Sequence, residues 1–200
     1  MASQQQRSEA TQAAILEAAA AAFSEQGYDA TAVAEICDRA GVSKGAFYHH
    51  FSSKQAVFLA LIGAWLEELE QALSGFDADD RPVPERLLAM SHAFQGLLTS
   101  RPQQLALILE FWTQASRSET MRQAVLSSYH SFLALFIDLI SAGVAEGTLA
   151  PIDPATGGQV LLSLTSGLFF QGLLDPTGAD WGEVAENSIQ TVLASMRRRS

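Results

Sequence analysis

Residues 31–54 read TAVAEICDRAGVSKGAFYHHFSSK, and the fold follows from them. Two short helical stretches, 33–40 and 43–50, flank the tight turn Gly41-Val42-Ser43, with Ser43 placed to cap the second. Ile36, Val42, Phe47 and Phe51 supply a small apolar core. This is the sequence form of a helix-turn-helix. At 100° per residue Phe47 and Phe51 share the inner face of the second helix, Gly45, Tyr48 and His49 point the other way, and Lys44 lies at the border. That outer face is shaped to enter a major groove. Glycine at 45 permits close approach, and the helix start at Lys44 offers N–H groups to an anion. Tyr48, His49 and Lys54 add hydrogen bonds or charge for phosphates.

Outward from this segment the chain reads as all-α, with about nine helices and no strand-like alternation. The first helix runs from near Ser8 to Gly27, burying Ile15, Ala19, Ala22 and Phe23. A fourth covers about Lys54 to Ser74. A polar loop with Asp77, Asp79, Asp80, Pro82 and Pro84 follows, and helix five ends before Arg101-Pro102. Helix six spans about 102–116, helix seven Ser118 to Gly147. Helix eight lies between Pro154 and Asp175, and helix nine carries a stripe of Trp181, Val184, Ser188, Ile189, Val192 and Met196. The expected division is a DNA-binding domain over 1–53 and a ligand-binding and dimerisation domain over 54–200.

Charge opposes this at first. The 200 residues carry a formal charge of −10, with 12 basic against 22 acidic side chains, and phosphate binding is driven by Lys and Arg. The charge is unevenly spread, however. Residues 39–54 hold three basic side chains and no acid, a window of +3, while 1–38 carry −5 and 55–200 carry −8. The acid-free window coincides with the proposed reading helix, so few phosphate contacts are expected per head. The acidic remainder favours a cation over an anion as ligand.

Other classes find little support. Cys37 is the single cysteine, and no Cys/His set has metal-ligand spacing, so neither disulfide, metal nor cofactor is expected. His92 and His130 sit isolated on helices, and there is no Gly-rich phosphate loop; an enzyme is not expected. The first twelve residues are polar, with no signal-like apolar stretch. The uncharged run 154–174 nearly has membrane-spanning length, but its Gln, Ser, Thr and Gly content reads as a helix between protein surfaces. A cytoplasmic protein without a membrane partner is expected.

The head resembles the N-terminal domain of TetR-family transcriptional regulators. The resemblance runs from about Ile15 to Leu61, through ILEAAAAAF at 15–23, GYDATAV at 27–33, EICDRAGVS at 35–43 and KGAFYHHFSSK at 44–54. It implies a homodimeric, ligand-responsive repressor whose two heads read a palindromic operator. By position it puts Thr31, Ser43, Lys44, Gly45, Tyr48, His49 and Lys54 at the DNA. Two positions depart from the family. Ala32 stands where a second Ser or Thr is usual, removing a helix cap and a phosphate contact that Thr31 is expected to replace. Ala46 stands where Thr is frequent, which implies an altered sequence preference.

Beyond Lys54, aromatic residues lie on helices, and apolar pockets among packed helices commonly hold ligands. The family's pockets, between helices four to eight, imply Trp65, Phe94, Phe111, Trp112, Phe132 and Phe136 as ligand contacts; simple core packing is the alternative for each. Glu110 either presents an anion to a cationic ligand beside aromatic faces, or faces water or pairs with Arg117 or Arg122. The stretch from EFW at 110–112 to LLDP at 173–176 resembles, more weakly than the head does its family, the C-terminal domain of choline-sensing repressors. Helix eight is apolar nearly all round through Val160, Leu161, Leu164, Leu168, Phe169 and Leu173. With helix nine it is the expected homodimer interface; burial within a monomer is the alternative. Arg197, Arg198 and Arg199 read as a solvated end. A helical ligand-binding module without operator recognition is the competing function, with an enzyme built on the aromatic cavity a distant third.

Overall fold

The computed structural model describes residues 4–76, 80–100 and 102–196, without side-chain detail for 74, 94–100 and 102–106. The Asp77 and Asp79 part of the expected loop, the Phe94 side chain and the three terminal arginines therefore lie outside the described residues. Those described form nine helices and no strand: α1 (Gln4–Gln26), α2 (Val33–Ala40), α3 (Lys44–His50), α4 (Lys54–Ser74), α5 (Val83–Ser100), α6 (Pro102–Ala115), α7 (Glu119–Glu146), α8 (Pro154–Leu174) and α9 (Trp181–Met196). The all-α expectation holds. α1 begins four residues before the expected Ser8, because nothing in QQQR opposes helix.

The helices pack into two compact units. Unit 1 comprises Met1–Glu68 and Pro102–Val125. In α1 the buried Ile15, Ala18, Ala19, Ala22 and Phe23 follow three- and four-residue steps. Small alanines let α2 and α6 approach this face. α1 stops at Gly27, whose φ of 85° is left-handed. At the end of α2, Gly41 (φ 66°) donates to Asp38 O and Val42 N–H to Cys37 O at 3.0 Å. This pair of bonds closes the helix and turns the chain into α3. Ser43 accepts from Ala46 N–H at 3.1 Å, and Ser53 caps α4 through Ala56 N–H at the same distance. Phe58 joins the parts: its ring meets Phe23 edge-on at 5.4 Å and lies 6.2 Å from Phe111 of α6. Burying a Phe-sized side chain is worth about 1.5–3 kcal/mol, so this aromatic seam holds α1, α4 and α6 together.

Unit 2 comprises Leu69–Arg101 and Leu126–Ser200. α9 packs along α5 and touches α8. α7 and α8 approach closely at Gly158, where a Cβ would fall 2.9 Å from the Ile137 backbone nitrogen. Asp153 caps α8 through Thr156 N–H at 2.9 Å, with Pro154 in the first turn. α7 and α8 both have the length and composition to cross a membrane, though only 17% and 28% of their apolar windows are buried within the chain. The sequence had pointed to 154–174 alone.

Candidate nucleic-acid interface

The turn and caps of unit 1 determine what α3 shows to solvent. Phe47 and Phe51 are buried, as the helical wheel requires, while Ser43, Lys44, Gly45, Tyr48 and His49 are exposed. Tyr48 is 55% exposed although its ring leans edge-on against Phe47 at 5.2 Å. A large exposed aromatic beside a lysine and an imidazole, on a helix rigidly seated by two phenylalanines, is a polar probe held at fixed orientation. Five of the seven expected DNA residues are thus brought together.

The other two are turned inward. Thr31 is 1% exposed; its hydroxyl donates to Gly27 O at 2.8 Å and Ala22 O at 3.3 Å. It closes the end of α1 and does not replace the missing hydroxyl at 32. Ala32 caps α2 with no side-chain bond, in the extended conformation (φ −94°, ψ 147°) that a capping serine adopts. Ala32→Ser is therefore expected to stabilise the protein by about 1 kcal/mol, read as a higher urea midpoint at unchanged slope; an unchanged midpoint would show that water already satisfies this helix start.

Lys54 folds back over the α1–α2 connection. Its Nζ donates to Tyr28 O at 2.6 Å, Thr31 O at 2.9 Å and Asp29 O at 3.4 Å, and lies 4.3 Å from the Tyr28 ring centre. Burial lowers the Lys54 pKa, opposed by the charges of Asp29 and Glu110; burial likewise raises that of the Tyr28 phenol. Lys54 thus clamps the α1–α2 connection. Nothing in the sequence disclosed its target, since three backbone carbonyls carry no side-chain signature.

The +3 window shrinks accordingly. Arg39 meets Glu25 and Glu35 at 2.8 Å each, and these bonds hold the Glu25 carboxyl below its ordinary range. The Glu35/Arg39 four-residue spacing was the available signal. With Lys54 folded inward, Lys44 is the one basic residue of the window that carries its charge to the outer face without an ion-pair partner among the described residues.

The expected ligand contacts are distributed differently. Trp65, Glu110, Phe111 and Trp112 belong to unit 1, Phe132 and Phe136 to unit 2. Phe111 is buried in the core of unit 1, so for it the alternative of core packing describes what is seen. Glu110, about 200° from Trp112 around α6, accepts from Gln114 Nε2 at 2.8 Å. Gln114, 8% exposed, also reaches Asp29 Oδ1 at 3.3 Å, and Arg117 lies 3.6 Å from Asp29. Glu110 thus pairs with neither Arg117 nor Arg122, which closes on Glu119 at the start of α7. Trp65 and Phe132 are half-exposed on their helices, Trp112 is 46% exposed, and Phe136 is buried.

Residues 15–61 match the profile of bacterial regulatory proteins of the tetR family, and residues 83–197 that of the C-terminal part of BetI-type transcriptional repressors. The chain is 31% identical to the transcriptional repressor BepR of Brucella suis, over 94% of this chain and 92% of that one. A transcriptional regulator of Pseudomonas aeruginosa PAO1, 26% identical, superposes with a TM-score of 0.81 over 97% of this chain and 93% of its own. A regulator from Saccharomonospora viridis solved with choline shares the fold, at a TM-score of 0.80 and 18% identity over 94% and 98% of the two chains.

Proposed function

Because the chain belongs to the TetR family of bacterial regulatory proteins, we propose that it represses transcription by binding a palindromic operator as a homodimer. A small, largely apolar, cationic effector releases it. Residues 1–53 are the reading part and 54–200 the sensing and dimerising part; this division is by role, whereas the compact units follow packing. The observation that carries the DNA side is the solvent-facing set Ser43, Lys44, Gly45, Tyr48 and His49 on a helix whose other face is locked by Phe47 and Phe51.

The homodimer is supported by apolar surface left over in unit 2. α8 leaves Val160 42% exposed in a shallow depression lined also by Ala155, Thr156, Gln159 and Ser163, and Leu174 81% exposed at its far end. α9 buries Ala185, Ile189, Leu193 and Met196 inside the unit, while Trp181, Val184, Ser188 and Val192 stay half-exposed on an adjacent stripe. A second copy would cover both, and it explains long apolar helices without a membrane in a cytoplasmic protein. A cationic effector suits the acidic remainder of the chain and aromatic faces such as those of Trp65 and Trp112 in unit 1. Its binding is proposed to tilt α4 and so change the spacing of the two heads, which must match about 34 Å or a multiple.

Fluorescence anisotropy with the duplex immediately upstream of the protein's own gene tests this. Binding at least about a thousandfold tighter than to a random duplex of equal length is expected, at a stoichiometry of two or four chains per duplex. Equal affinity for both duplexes would favour a helical ligand-binding module without operator recognition.

A further inference from the structure

We infer that Gln114 is a positioning residue for the reading helix: its side-chain amide latches α6 to the connection between α1 and α2, so that a rotation of α6 reaches the helix-turn-helix. This rests on the division into reading and sensing parts proposed above. Gln114 lies in the last turn of α6 and is 8% exposed. Its Nε2 donates to Glu110 Oε1 at 2.8 Å and to Asp29 Oδ1 at 3.3 Å. Both acceptors are carboxylates, which take hydrogen bonds and give none, so the amide can meet them only with its NH2 group. Its two protons are thereby divided between two elements of the fold, and they stand between two acids that would otherwise repel.

The two bonds are not equivalent. Glu110 sits one turn back on α6, so its bond travels with the helix, whereas Asp29 belongs to the α1–α2 connection, 85 residues away along the chain. At 3.3 Å the Asp29 bond is already beyond the usual upper limit of about 3.2 Å. Side chains end about 5–6 Å from a helix axis, so a rotation of about 15° carries Gln114 by about 1.4 Å, which breaks this bond or draws Asp29 along. The opposite flank of α6 is open to a ligand: Trp112, about 200° round the helix from Gln114, is 46% exposed, with Leu109 beside it at 37%. An effector taken up against that flank would turn α6. The rest of the connection is fixed to α4. The Lys54 ammonium holds the carbonyls of Tyr28, Asp29 and Thr31, and the neighbouring Gln55 donates to Ser118 Oγ at 2.9 Å, which caps α7 through Met121 N–H. Arg117 meets the second Asp29 oxygen at 3.6 Å from a side chain that is 66% exposed; such surface pairs follow a movement without resisting it. Asp29 thus stands between a fixed clamp and the movable end of α6, four residues ahead of α2, and α2 packs on α3. Every residue of this arrangement lies within unit 1.

Anisotropy titrations of Gln114→Met, Asp29→Ala and the two combined, with the upstream duplex and a random duplex, test the latch. Methionine keeps the length of glutamine and removes its donors. Each single change is expected to weaken binding to the upstream duplex about fivefold to a hundredfold, the usual range for coupled sites, at an unchanged salt slope. The combined variant should lose no more than either one, because both remove the same bond. Asp29→Asn, which keeps an acceptor oxygen, should bind like the parent. Coupling is reciprocal, so the upstream duplex should slow amide hydrogen exchange over residues 107–118 in the parent and not in Gln114→Met. The Asp29 side chain is 70% exposed, so Asp29→Ala is expected to fold and carries the test by itself if Gln114→Met does not. Single variants that bind like the parent, losses that add in the combined variant, or an Asp29→Asn as weak as Asp29→Ala overturn the inference alone. Equal binding of both duplexes by the parent overturns the DNA-binding reading and this inference with it.

Discussion

Replacing Lys54 by methionine is expected to lower the stability of the protein by about 2–3 kcal/mol while leaving the salt dependence of DNA binding unchanged. The ammonium gathers the carbonyls of Tyr28, Thr31 and Asp29 and sits on the Tyr28 ring. Hydrogen bonds from a charged donor contribute about 1.5–3 kcal/mol and a cation over an aromatic face about 0.5–1 kcal/mol. Part of this is offset by the desolvation that lowers the lysine's pKa, which keeps the net figure at the lower end. Methionine preserves the aliphatic stem and removes only the charge and its donors. Urea unfolding of the full chain reads the stability. The discriminating measurement is the slope of log K against log salt: a lysine at the phosphates contributes nearly one unit per head, about two per dimer. A slope that falls by two would return Lys54 to the DNA; an unchanged slope with a lower urea midpoint identifies it as the clamp that sets the α1–α2 connection against α4.

Lys54 also shows where sequence reading stops. Periodicity and turn chemistry are local, and they placed α2, the Gly41 turn, the Ser43 cap and the inward Phe47/Phe51 pair, because each depends on residues within a few positions. The same locality made Ser43, Lys44, Gly45, Tyr48 and His49 legible as one exposed face. Thr31 and Lys54 have partners that no residue pattern shows: backbone carbonyls, four and nine residues back for Thr31 and 23 to 26 back for Lys54. A residue list cannot show that a carbonyl is waiting for a donor. Arg39 shows a different limit: net charge counts a guanidinium as free, although Glu35 stands one helical turn away. For Glu110, adjacency in sequence suggested company with Trp112, but one residue on either side of Phe111 separates them to opposite flanks of α6. Its partner Gln114 lies on the same flank, at the four-residue spacing. The apolar run 154–174 was read correctly as a helix, yet no pattern distinguishes the side facing α7 from the side left open. Only the packing of Gly157 and Gly158 against Ile140 and Ile137 decides that.

Lys44→Ala and Tyr48→Ala are expected to weaken operator binding strongly, and by different routes. Lys44 is the uncompensated cation of the reading face, so its loss removes one phosphate contact from each head. The salt slope should fall by about two and the affinity by about tenfold to a hundredfold at moderate salt. Tyr48 carries no charge. Truncating it removes a hydrogen bond and stacked surface of about 1 kcal/mol per head, about thirtyfold for a dimer, at an unchanged salt slope. Neither change should disturb folding, because both side chains are exposed while the core under them is made by Phe47 and Phe51; equal urea midpoints would establish this. With so few free cations per head, these losses cannot be made up elsewhere: α1 and α2 bring mostly acids to the neighbourhood, and Arg39 is already engaged by two of them. If both variants bound the operator as tightly as the parent, with the same slope, the outward side of α3 would not be the reading face. If only Lys44→Ala kept its slope, the phosphates would lie nearer His49, and the salt slope of His49→Lys should then exceed that of the parent by about two.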